Sequence, residues 1–272
     1  MELTNYHLHT NKGSHGHLSS KEVIKKSIED GIKYICFTDH YPLPNHIKKE
    51  DDSNFCSDEY YEELKKLKKE YKNKINISIG VEIDWIEELE DYLRNEINKR
   101  NYDFVIGAIH LMKDKGGTQY LQPHAKNKLI ENYNGIKNFI TEYYRQIRLM
   151  IKSGMFDSIG HLDRIKWNNQ AYFSEEDDWY KDEIIKCLDI AKKQDNCIEV
   201  NTCGLFHFGI EEQYPNRWIL EEIKKRNIPI TIGTDGHDFV NDGLKEGYKT
   251  LKEIGFTHVC IYQNRVRKKI PL

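Results

Sequence analysis

The chain lacks an excess of charge of either sign. Its 272 residues carry 41 lysines and arginines against 44 aspartates and glutamates, a formal net charge of −3. So even a balance provides no electrostatic footprint for a nucleic-acid partner. No run of about 18 apolar residues occurs, so no membrane-spanning helix is expected. The opening stretch, MELTNYHLHTN, holds neither a basic nor an apolar block, so no leader peptide is expected and the cytoplasm is the expected location. The six cysteines (Cys36, Cys56, Cys187, Cys197, Cys203 and Cys260) form no C-x-x-C pair. They read as buried, reduced thiols, which argues against a closed structural zinc site of the four-cysteine type. Neither G-x-G-x-x-G nor G-x-x-x-x-G-K-[ST] is present, which weakens a nucleotide-binding reading. Internal repeats, low-complexity tracts and Pro/Gly linkers are also missing, so residues 1–272 are expected to form one domain.

What the sequence does contain is alternation. β-Branched runs at Asn5–His9, Tyr34–Thr38, Ile75–Glu82, Phe104–Ala108, Ser158–His161, Cys197–Asn201 and Ile228–Gly233 read as strands. Amphipathic stretches between them read as helices. Val23, Ile24 and Ile28 share a face that Gly31 ends; Ser57 caps a helix carrying Tyr60, Leu64, Leu67 and Tyr71. The longest stripe runs from Ile136 to Ile151 and stops at Gly154; further helices are expected over 178–194, 216–226 and 242–254. A last short strand, Val259–Tyr262, precedes a basic tail, and Lys113–Lys128 reads as a long loop. Seven strand–helix units predict an α/β fold with a parallel sheet closed into a barrel.

Twelve histidines are present, and most fall where such a fold does its chemistry. The strands end in His7-Leu8-His9, Asp39-His40, Glu82, His110, His161, Asn201 and Asp235-Gly236-His237, and the C-terminal strand ends of a parallel barrel open onto one face. His7 and His9, two apart on a strand, are expected on the same side. Imidazoles and carboxylates without thiolates suit zinc, iron or manganese, and so many ligands imply more than one ion. A carboxylate such as Glu82 can bridge two ions about 3.5–4 Å apart. His15 and His17 lie in the loop after the first strand, either able to reach a further ion. His46 and His258 read as ordinary surface or core histidines, while His124 and His207 lie on loops of the active face.

In order, the segments HLHT, SHG, TDH, GVE, IH, GHLDR and TDGH resemble the PHP (polymerase and histidinol phosphatase) family. The likeness is greatest to its histidinol-phosphatase branch, in which GHLD and GVEID recur, and it runs from Tyr6 to about His237. The resemblance implies a distorted (β/α)7 barrel with three divalent ions, zinc, manganese or iron. By motif, His7, His9, Glu82 and Asp235 would hold the first ion, Glu82 would bridge to a second held by His110 and His161, and His15, His40 and His237 would hold the third. It further implies hydrolysis of L-histidinol phosphate to L-histidinol and phosphate, a step of histidine biosynthesis. A hydroxide between the first two ions is then expected to attack phosphorus in line, with Asp235 orienting it and taking its proton. Asp39 is expected to orient His40 or handle a proton at the leaving group. Arg164 offers a guanidinium fork for phosphate, with a rim salt bridge to Asp157 or Asp163 as its plain alternative. Arg217, Glu199, Asn201 and His207, with Tyr41 and Phe206 beside them, are candidates for holding substrate.

Other readings differ in class. An exonuclease of the same family would want a basic, aromatic groove that the composition does not offer. An amidohydrolase would usually be expected to carry a carboxylated lysine where strand three has Glu82. A non-catalytic metal store would want ligand sets closed to solvent.

Overall fold

A computed structural model describes residues 2–12, 16–44, 47, 57–113, 120–121, 130–167, 169–207 and 209–272 of the chain, the side chains of 120–121 excepted. In chain order the elements are β1 (Leu3–Leu8), α1 (Ser20–Glu29), β2 (Ile32–Phe37), α2 (Asp58–Glu70), β3 (Asn76–Asp84), α3 (Glu90–Ile97), β4 (Phe104–Ala108), β5 (Met112–Lys113), β6 (Tyr120–Leu121), α4 (Ile136–Lys152), β7 (Ser158–Ile159), α5 (Asp178–Gln194), β8 (Cys197–Asn201), α6 (Arg217–Lys225), β9 (Ile230–Gly233), α7 (Leu244–Ile254), β10 (His258–Gln263) and β11 (Val266–Pro271).

Seven parallel strands form one sheet in the order β1-β2-β3-β4-β7-β8-β9. The ends of that sheet meet: Leu8 bridges Gly236 in parallel fashion, and the His9 N–H donates to the Gly236 carbonyl at 2.9 Å. The result is the expected distorted (β/α)7 barrel. Apolar residues at helical spacing explain the outer layer. On α4, Phe139, Ile140, Tyr143, Ile147, Met150 and Ile151 are buried against the sheet, each such side chain contributing about 1.5–3 kcal/mol by leaving water. Ser19 closes a capping box with Glu22 ahead of α1, and the Ser57 side chain accepts the Tyr60 N–H ahead of α2, so the cap read from sequence at Ser57 acts as expected.

The barrel interior is filled rather than hollow. Tyr6 on β1 reaches across to Ser78 on β3 (2.8 Å) and packs edge-on against Phe104 of β4. Its hydroxyl also donates to the carbonyl of Tyr262 on β10. Here the sequence reading needs correction. The stretch after Tyr262 is no loose basic tail: β10 and β11 form an antiparallel hairpin from His258–Pro271 to Gln263–Val266. The hydroxyls of Tyr6 and Ser78 both hold its Tyr262 carbonyl. The run Arg267, Lys268 and Lys269 hid the strand, in which Ile270 is buried while Val266 is exposed. Part of the expected loop at Lys113–Lys128 is also paired, Met112 with Leu121 and Lys113 with Tyr120. α3 was not expected, because its eight residues bury only Leu93, Glu96 and Ile97. Among the described residues, no helix is long and apolar enough to cross a membrane. The described cysteines, Cys36, Cys187, Cys197, Cys203 and Cys260, are buried and free; Cys56 lies outside the described residues, as do His15, His46 and His124.

Candidate metal centre

The C-terminal ends of the barrel strands deliver their polar side chains to one place. Around Glu82, at 1% exposure, two groups of ligand atoms assemble. In the first, His7 Nε2 and His9 Nε2 lie 3.1 Å apart, Glu82 Oε2 lies 3.3 and 3.5 Å from them, and Asp235 Oδ1 lies 3.5 and 3.1 Å from them. A zinc ion with four nitrogen and oxygen ligands at about 2.0–2.1 Å sits in a tetrahedron whose edges are about 3.3–3.4 Å. Five edges of this group thus match an ion-centred tetrahedron. In the second, His110 Nε2 and His161 Nε2 lie 3.2 Å apart, and Glu82 Oε1 lies 3.6 and 3.1 Å from them. Three ligands leave room for a further one.

Glu82 Oε2 gives an independent test. It is buried and accepts no hydrogen bond, although His40 Nδ1, His7 Nε2 and His9 Nε2 stand 3.0, 3.3 and 3.5 Å away. A buried carboxylate oxygen without a donor is costly unless a cation satisfies it. The residues therefore fit divalent ions. His40 joins Glu82 and His110 in one close set of ligand atoms and His9 and His237 in another. His40 and His237 thus lie close together beside His9, while His15, expected with them, lies outside the described residues. His17, the other loop histidine, is exposed, with Nδ1 3.7 Å from Asp238.

Electrostatics hold the two carboxylates and two of the histidines in their ligating forms, whereas at His7 and His110 the surrounding carboxylates outweigh burial and favour the imidazolium, whose second proton a metal ion would displace. Burial alone would raise the pKa of Glu82, but His7, His40 and His110 and a hydrogen bond from His161 outweigh it and keep the carboxyl well below its usual range. Burial is likewise outweighed at Asp235, by His7 and His9. Burial drives His40 well below the usual imidazole value and takes His237 down to about 4. Ionised carboxylates and neutral imidazoles are the forms that bind metal. Two of the ligands also sit in unusual backbone: φ is 24° at His161 and 53° at Asp235, the kind of strain that collects at functional sites.

Residues behind the ligands aim them. His110 Nδ1 and its backbone N–H both bond Asp84 Oδ1 at 2.9 Å, which turns Nε2 toward Glu82. Sequence reading missed Asp84, although the i, i+2 spacing from Glu82 would place both on one side had β3 been drawn two residues longer. Asp39 does not reach the open rim: its oxygens take the Thr10 N–H at 2.7 Å and the Tyr60 hydroxyl at 2.5 Å, and it stands 1% exposed. It is thus placed to support the loop of His9 and His40 rather than to protonate a leaving group. Helix α2 supplies Tyr60, a contact no local pattern announces.

The candidate substrate residues separate. Arg164 stands over Trp167, 4.9 Å from the ring centre, and its charge is felt at His110. Its plain alternative is not realised, because Asp157 pairs with Arg265 and Asp163 with Lys166. Arg217 belongs to the outer layer, half exposed and held by Glu221 and Glu253. Glu199 and Asn201 lie beneath the ligands: Glu199 bonds His7 and His161, and Asn201 Nδ2 stands 3.1 Å from Glu199 and 3.4 Å from Asp235. Neither is free to hold substrate. His207 stacks on Phe239 at 4.2 Å and pairs with Asp242 at 3.3 Å. Tyr41 is buried and donates to Glu96, while Phe206 is exposed.

Fold and site together define a (β/α)7-barrel protein built to hold divalent metal ions on the C-terminal rim of its sheet. The chain belongs to the PHP domain family, whose model matches residues 5–203. It is 24% identical over 252 residues to the histidinol-phosphatase of Bacillus subtilis, spanning 87% of this chain and 94% of that one. It is 24% identical over 279 residues to the histidinol-phosphatase of Lactococcus lactis, spanning 96% and 95%. The crystal structure of a histidinol phosphate phosphatase from Lactococcus lactis, complexed with zinc, L-histidinol and phosphate, matches with a TM-score of 0.78 over 98% of this chain and 99% of that one. At 22% identity that match speaks for the fold.

Proposed function

We propose that this protein hydrolyses L-histidinol phosphate to L-histidinol and phosphate, as a metal-dependent phosphomonoesterase of histidine biosynthesis. The observation that carries the reading is Glu82, a buried carboxylate whose two oxygens face two different histidine groups. Near-full-length similarity to proteins named histidinol-phosphatase supports the substrate.

Held by these side chains, divalent ions supply charge neutralisation for the phosphoryl oxygens and lower the pKa of water. His7, His9, Glu82 and Asp235 would hold one ion, Glu82, His110 and His161 a second, and His40 and His237 with His15 a third, of zinc, manganese or iron. The chain's other contributions follow from placement. Asp235 turns Oδ1 to His7 and His9, leaving Oδ2 beside Asn201 at 3.4 Å, where it takes a proton from the attacking water. Arg164, half-buried on the rim and paired with no carboxylate among the described residues, forks the phosphoryl oxygens. Asp84 and Asp39 keep the surrounding histidines in place. The charge balance favours a small phosphate ester over nucleic-acid ends, and the free thiols favour a reducing compartment such as the cytoplasm.

Chelation tests the reading. Stripping metal should abolish phosphate release from L-histidinol phosphate, and adding back zinc, manganese or iron should restore it. Full turnover by metal-free protein would contradict it.

A further inference from the structure

We infer that Glu199 is a positioning residue that couples the two ion-holding groups, fixing the tautomer of His7 with one carboxylate oxygen and the backbone of His161 with the other. The inference rests on reading the cluster as a metal centre, but not on the identity of the substrate.

Glu199 lies on β8, 1% exposed. Its Oε1 stands 2.5 Å from His7 Nδ1, and its Oε2 accepts the His161 N–H at 2.8 Å and Asn201 Nδ2 at 3.1 Å. An ionised carboxylate only accepts hydrogen bonds, so His7 Nδ1 must carry a proton, which leaves Nε2 as the nitrogen that can offer a lone pair to a metal ion. That lone pair faces the first group, where Nε2 is 3.1 Å from His9 Nε2 and 3.3 Å from Glu82 Oε2. The other oxygen works on the second group, because His161 adopts φ 24°, a region L-residues rarely occupy, and its N–H is held there by Glu199. β9 makes the room: a Cβ at Gly233 would lie 2.4 Å from the His7 Cβ and 3.1 Å from Glu199 Oε1. The arrangement parallels His110 and Asp84 on the opposite side of Glu82, so each group has one histidine aimed by a carboxylate. Partners of this kind are worth about 10–100-fold in metal affinity.

Glu199→Gln tests the inference, because a glutamine has one acceptor oxygen and can serve His7 or His161 but not both. Zinc affinity, measured by chelator competition on the purified variant, should fall by about 10–100-fold, and turnover should return as zinc is raised. Parental zinc affinity with a raised KM would make Glu199 a substrate contact and overturn the inference. Should the variant fail to fold, selectively ¹⁵N-histidine-labelled parent loaded with zinc decides the matter. A proton on His7 Nδ1 supports the inference; a proton on Nε2 overturns it. A parent that binds no zinc at all would overturn the metal-centre reading as well, which separates the two failures.

Discussion

The guanidinium of Arg164 lies over the indole of Trp167, 4.9 Å from its centre. The carboxylates nearest in sequence are committed elsewhere, Asp163 to Lys166 at 2.9 Å and Asp157 to Arg265 at 2.5 Å. A cation on an aromatic face is held in direction without being neutralised, which suits it to an anionic ligand. Arg164→Met should therefore raise KM or lower kcat for a phosphate ester by about 10-fold or more, as expected for a lost charge-assisted hydrogen bond, with metal content unchanged. Parental kinetics would reduce Arg164 to a rim residue.

Glu82 should be the least replaceable ligand. Glu82→Ala removes an oxygen from each group, so elemental analysis should show metal lost from both and activity lost with it. Retention of the full metal complement would refute the shared role.

Much of this site was legible because the barrel places every strand end on one rim. The H-x-H of β1, the histidines after β2, β4 and β7, and the Asp-Gly-His after β9 needed only that rule. Residues that aim the ligands were harder to read. Asp84 needed the true end of β3, and the Asp39–Tyr60 bond needed the packing of α2, a long-range contact. Glu199 and Asn201 sit at the end of a strand like the ligands, so sequence placed them at the site but could not say that they face inward beneath it. β11 looked like a tail because Arg267, Lys268 and Lys269 follow one another and Ile270 alone among its side chains is buried.

Lys166 illustrates a further layer that sequence could not show. It is fully buried among Asp163 Oδ2 (2.9 Å), Glu212 Oε1 (2.5 Å) and Glu175 Oε1 (3.9 Å), and ties the segment after His161 to the loop after β8. Lys166→Met leaves Asp163 buried without its cation, a change that typically costs about 3–5 kcal/mol. Thermal unfolding should shift down by about 10 °C in consequence. An unchanged midpoint would mean that the carboxylates find other partners.

Glu175 gives the same network a pH dependence. Burial, with Asp163 and Glu212 adding and Lys166 and Trp218 opposing, pushes its carboxyl up from 4.5 to about 7. The folded chain thus keeps a proton that the unfolded chain releases near pH 4.5, so stability from this group is present at low pH and is lost as pH rises through about 7. Glu175→Gln should flatten that part of the profile. Melting temperatures of parent and variant from pH 5 to 8, at equal metal loading, check it; curves of identical slope would contradict it.

The most direct test of the account is phosphate release from L-histidinol phosphate, p-nitrophenyl phosphate and a DNA oligonucleotide side by side, with the metal content of the enzyme counted. The account predicts two or three divalent ions per chain and strong preference for L-histidinol phosphate. Equal, slow release from every phosphate ester, or full metal loading with no hydrolysis, would contradict it.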